Sequence, residues 1–99
     1  MSRRLSTDLS DPDVVPYFLW DDAMTVSQLE AFLRTASPDD RFRMLGKIVR
    51  EAKDVDVWRF LTPADLERDW NRIAPYLGRR RSYWQWLLEG WRSQGLLRG

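Results

Sequence analysis

Two carboxylates two residues apart, Asp54 and Asp56, come nearest to metal chemistry in this sequence. On a strand, oxygens at that spacing share a face and can hold Mg2+ in the manner of nucleotidyltransferases. That chemistry also needs a Gly-Ser phosphate-holding turn upstream and a third carboxylate on a partner strand, and neither is recognisable here. On a helix the two side chains point about 200° apart, which favours a helix-capping role. Asp21 and Asp22 likewise read as a turn and N-cap feature rather than a general acid/base pair. The chain has no Cys and no His. Disulfides, zinc fingers, haem ligation, a thiol nucleophile and an imidazole base are therefore excluded. No catalytic residue, metal site or cofactor is expected, and the chain does not read as an enzyme.

Arg79, Arg80 and Arg81 form the strongest basic motif. Consecutive guanidiniums can take phosphates or carboxylates in bidentate fashion. They stand where a helix is expected to begin, and positive charge there opposes the helix dipole by about 0.3–1 kcal/mol. Either a bound partner or internal ion pairs with acids of the N-terminal half must offset that placement. Arg43, Lys47 and Arg50 recur at steps of four and three and make a second basic ridge. A solvated face, helped by Glu51 pairing with Lys47, is the plainer reading of it, and a docking ridge the sharper one. Six tryptophans in 99 residues exceed what core filling requires. Trp84, Trp86 and Trp91 fall together near the C-terminus. Tryptophans in an apolar stripe are more often core or protein interface than base-stacking platforms.

These residues need elements to hold them. Hydrophobic residues make up 43% of the chain and charged residues 31%, a globular composition with room for one core. Net charge is +1, but residues 1–40 carry eight acids against three arginines and residues 41–99 carry thirteen bases against seven acids. Such polarity marks either an interaction surface or two halves that face one another. Residues 1–13 are polar and without a period, and are expected as a mobile N-terminal arm, leaving 14–99 as a single helical domain. The apolar cluster at Tyr17, Phe18, Leu19 and Trp20 is expected to dock by its aromatics.

Thr25 and Gln28 fit a capping box for a helix over 26–35. Ser37-Pro38-Asp39-Asp40 starts a second helix, running to about Lys53 with Phe42, Leu45, Ile48, Val49 and Ala52 on its apolar face and Met44 at the margin. Residues 54–61 alternate like a strand but have no second strand to join, so a short helix is expected. Thr62-Pro63-Ala64-Asp65 starts another helix that ends near Ala74, before Pro75. The last runs from about Arg79 to Gly95, the C-terminal cap. Its Tyr83, Trp84, Trp86, Leu87, Leu88 and Trp91 spread over an arc of about 200°, wider than one bundle contact needs. The N-terminal aromatic cluster, the Leu96-Leu97 tail or another chain must cover the remainder.

The run of Arg50-Glu51-Ala52, Asp56-Val57-Trp58-x-Phe60-Leu61-Thr62, Trp70-x-x-Ile73, Leu77-Gly78-Arg79-Arg80-Arg81, Trp84-x-x-Leu87-Leu88-x-x-Trp91 and Gly95-Leu96-Leu97 resembles small bacterial proteins encoded beside nucleotidyltransferase-like toxins of the abortive-infection type. The resemblance spans roughly residues 17–97. It implies an antitoxin-like or accessory protein that binds such a toxin, with Arg79, Arg80, Arg81, Trp84 and Trp91 as the matching residues, and it carries no catalytic activity over.

The sequence thus predicts an all-α fold, a single small irregular bundle of four to five short helices with almost no sheet. The expected function is a tryptophan-rich, non-catalytic protein-protein interaction module. Its partner-binding residues are Arg79, Arg80, Arg81, Trp84, Trp86, Trp91, Arg43, Lys47 and Arg50. The alternative is a helical nucleic-acid-binding domain whose arginines contact phosphates, and a homo-oligomer is compatible with either. No apolar run is long enough to span a bilayer and no signal-peptide stretch follows Met1, so a cytoplasmic location without membrane contact is expected.

Overall fold

Side-chain caps at Thr25 and Thr62 start two of the helices. The computed structural model describes residues 5–19, 21 and 24–95; Trp20, Asp22 and the Leu96-Leu97 tail lie outside them. Among the described residues are six α-helices: α1 (Val26–Thr35), α2 (Pro38–Glu51), α3 (Asp54–Val57), α4 (Pro63–Arg68), α5 (Trp70–Ile73) and α6 (Arg81–Ser93). Three 3-10 turns, Tyr17–Leu19, Ala74–Tyr76 and Gly78–Arg80, join them, with one pair of two-residue strands, β1 (Leu5–Ser6) and β2 (Val15–Pro16). The fold is all-α. No helix among the described residues is long and apolar enough to cross a membrane. Backbone contacts divide the chain inside α2 into two units, Met1–Arg41 and Phe42–Gly99.

In the first unit, β1 and β2 pair in parallel with Leu5 opposite Val15 and Ser6 opposite Pro16. Residues 5–13, expected as an arm without regular structure, carry that strand and bury Leu9 to 5% exposure. Periodicity does not reveal this, because the segment is shaped by aspartate side chains. Asp8 accepts from the Ser10 amide at 3.1 Å and Asp11 from the Asp13 amide at 2.9 Å, turns that need no apolar repeat. The first three amides of α1 are all satisfied. Val26 donates to the Val14 carbonyl at 2.9 Å, Ser27 to that of Pro12 at 3.1 Å, and Gln28 to Thr25 Oγ1 at 3.1 Å. Gln28 in turn accepts from the Thr25 amide at 2.9 Å, completing the expected capping box. Phe18 and Leu19 are buried, and Tyr17 packs edge-on to Phe18 at 5.3 Å.

In the second unit the expected apolar face of α2 is buried in full, Met44 included. Gly46 lies so close to Tyr76 that a Cβ there would stand 2.5 Å from the tyrosine Cβ. A glycine at this point lets the 3-10 turn Ala74–Tyr76 rest directly on the helix. Arg50 then reaches the same turn, donating to the Tyr76 carbonyl at 3.1 Å.

The helix expected over 63–74 is divided. Its start is as anticipated, with a Thr62/Asp65 capping box and Pro63 in the first turn. At Asp69 the backbone leaves helical geometry (φ −102°, ψ 16°). Asp is a poor interior helix residue, and here its carboxylate grips the neighbouring Arg68 through two bonds, at 2.9 and 3.3 Å. Leu66, Ile73 and Leu77 are nevertheless all fully buried. Gly78 adopts φ +54° at the turn into α6, a conformation that strains any residue with a Cβ.

Candidate functional site

Helix α6 divides its tryptophans between two sides, because residues two apart point to nearly opposite faces. Trp84 is fully buried and donates its indole N–H to the Val49 carbonyl of α2 at 3.1 Å. Its ring stands edge-on to Trp58 at 5.5 Å, and Trp91 closes on Trp58 at 5.8 Å. Trp84 therefore leaves the set of expected partner contacts: it is the centre of the core, satisfied in both its apolar ring and its donor. Trp91 is half-buried in the same cluster. Trp86 stands 68% exposed on the other side of the helix.

At the start of α6, Arg80 and Tyr83 meet α3. Asp54 does not cap its helix; Lys53 occupies the N-cap position and makes no side-chain cap bond. Instead Asp54 accepts from Arg80 at 2.7 Å and from the Tyr83 hydroxyl. The Arg80 guanidinium lies over the Tyr83 ring at 4.9 Å and within 5.9 Å of the Trp84 ring. The bond donated to Asp54 holds the Tyr83 proton and raises its pKa above the usual phenol value, with desolvation and the Asp54 charge adding and Arg80 opposing. Asp54, Arg80 and Tyr83 line an open depression of about 430 Å³.

This cluster answers the unfavourable arginine placement in one position of three. The acid that holds Arg80 is Asp54, from the same unit, and not one from the N-terminal half. Arg79 and Arg81 are exposed and meet no acid among the described residues. The Arg43/Lys47/Arg50 ridge stands on the solvent side of α2: Arg43 is exposed, Lys47 half-buried, and Arg50 bonds Glu51 at 2.9 Å as well as Tyr76.

Four large hydrophobic side chains are exposed among the described residues: Leu5 at 50%, Val55 at 75%, Tyr83 at 38% and Trp86 at 68%. Val55 follows Asp54 in the chain, Tyr83 bonds Asp54, and Trp86 lies one turn beyond Tyr83 on α6. Tyr83 thus lies where α3 meets the start of α6, with Trp86 one turn further along the same helix. Sequence reasoning named Trp86 and the arginines as partner contacts but overlooked the exposed Val55 and the Asp54–Tyr83 bond. The alternation Asp54-Val55-Asp56-Val57 held the signal, since a short helix that buries Val57 must turn Val55 outward. No family model matches the chain, and neither a curated protein nor a solved structure matches it.

Proposed function

We propose that the chain is a non-catalytic protein-interaction module, an antitoxin-like or accessory partner of a nucleotidyltransferase-type toxin. The exposure of Trp86, one turn along α6 from the half-exposed Tyr83 and opposite the buried Trp84, supports this reading above all. Aromatic and arginine side chains that lose water on binding carry most of the affinity in protein interfaces. Here an exposed indole, held on a helix whose opposite side is locked in the core, costs little ordering entropy when it anchors. The mechanism is occlusion: Trp86 enters an apolar site on the partner while Arg79, Arg81 and the Arg80–Asp54 pair orient the contact. The phosphate-binding alternative uses the same arginines and is separated by salt, because phosphate contacts weaken log-linearly as salt rises.

Co-expression with a nucleotidyltransferase-type toxin, followed by gel filtration, tests the proposal. A co-eluting complex that Trp86→Ala disrupts, with a parallel release of the toxin's nucleotidyl transfer, is the expected result. Separate elution of the two proteins, or a complex indifferent to Trp86, would overturn it.

A further inference from the structure

We infer that the cavity between α5 and α6 takes a basic side chain of a partner protein, its ammonium or guanidinium held by Glu89 and its aliphatic stem laid against Trp70 and Leu88. The cavity has a volume of about 160 Å³ and is lined by Trp70 of α5 and by Gln85, Leu88, Glu89 and Arg92 of α6. Those four recur at steps of three, one and three, so one side of the helix presents them together. The proposed Trp86 contact uses none of them. That the cation arrives on a protein rests on the interaction reading; the chemistry of the cavity does not.

Charge decides the class of guest. Arg92 brings a positive charge to the wall, but its Nε donates to Glu67 Oε1 of α4 at 2.9 Å. The second oxygen of that carboxylate, Oε2, is buried with no hydrogen-bond partner among the described residues. Glu89 accepts from the Gln85 amide at 3.3 Å and pairs with no cation among the described residues. Two carboxylates thus stand against one guanidinium, with acceptor capacity left over. A cationic guest supplies both the missing charge and the missing donors. An anion would meet an Arg92 already paired and a Glu89 uncompensated, and a wholly apolar guest would strip water from Glu89 and return nothing. Leu88 is buried and Trp70 half-buried, so methylenes have apolar surface to lie on, and an indole face also attracts a cation. Size agrees with this. A space of roughly 150 Å³ accepts a benzene-sized guest, so the end of one lysine or arginine side chain fits and a nucleotide does not.

The test follows the Trp70 indole N–H signal by nuclear magnetic resonance, assigned by its absence in Trp70→Phe, as the full chain is titrated with N-acetyl-lysine methylamide and N-acetyl-arginine methylamide. The uncharged norleucine and the anionic glutamate analogues are run beside them at matched ionic strength. At least one of the cations should give a saturable shift, the norleucine analogue none, and Glu89→Gln should weaken the binding about tenfold while its thermal midpoint matches wild type. No saturable shift from either cation, an equal shift from norleucine, an affinity unchanged in Glu89→Gln, or tighter binding of the glutamate analogue would overturn the site. Each of those results leaves the Trp86 contact to its own test, which does not use this cavity.

Discussion

Trp84 and Trp86 are the same residue type two positions apart, and their surroundings give them opposite tasks. Trp84 is enclosed, with its N–H bonded to Val49. Its replacement by alanine leaves a large void and an orphaned carbonyl, and should cost about 3–5 kcal/mol, read as a collapse in the thermal midpoint. Trp86→Ala removes a ring that is mostly in water and should leave unfolding within about 0.5 kcal/mol of wild type. Partner affinity should nevertheless drop about thirtyfold, the size of an interface hot spot. Tyr83 adds a pH signature. Its pKa is raised by the bond to Asp54, so the bond's contribution to stability is complete below the usual phenol value of 10.0 and is lost as pH rises through the raised one. An alkaline absorbance titration should show one tyrosine ionising late, and Tyr83→Phe should remove that component.

Among the elements, legibility followed the caps. Thr25 with Gln28 and Thr62 with Asp65 both announced helices that begin where expected, because a side chain that satisfies an orphan amide acts locally. Asp65 makes the second of these testable. Its pKa is lowered chiefly by the bond from the Thr62 amide, with Arg68 assisting against desolvation. The cap's contribution is therefore present above the usual 3.8 and lost as pH falls through the lowered value. Asp65→Ala should cost about 0.3–1 kcal/mol at neutral pH, and the gap from wild type should narrow in acid, seen in urea unfolding at the two pH values.

Features made by contacts between distant residues were not legible. The break at Asp69 kept the apolar stripe of Leu66, Ile73 and Leu77 intact, so periodicity could not show it. Gly46 presents the same limit. Helix propensity predicts that Gly46→Ala stabilises α2 by up to about 1 kcal/mol. The approach of Tyr76 at 2.5 Å predicts the reverse, a net loss of about 1–3 kcal/mol from overpacking in chemical denaturation.

For the whole molecule, charge asymmetry was visible in the sequence, but its use was not. In the second unit Asp54, Glu67, Asp65 and Asp69 hold Arg80, Arg92 and Arg68, while Arg79 and Arg81 stand exposed. On the proposed reading, the face of α6 that carries Tyr83 and Trp86 is where a partner docks. Nuclear magnetic resonance mapping of the indole N–H signals during titration with a nucleotidyltransferase-type toxin tests this most directly, the Trp86 signal being assigned by its absence in Trp86→Ala. The account predicts that Trp86 shifts or broadens first and furthest while the buried Trp84 signal moves little. A complex that forms while the Trp86 signal stays unchanged, or in which the Trp84 signal moves furthest, would contradict it.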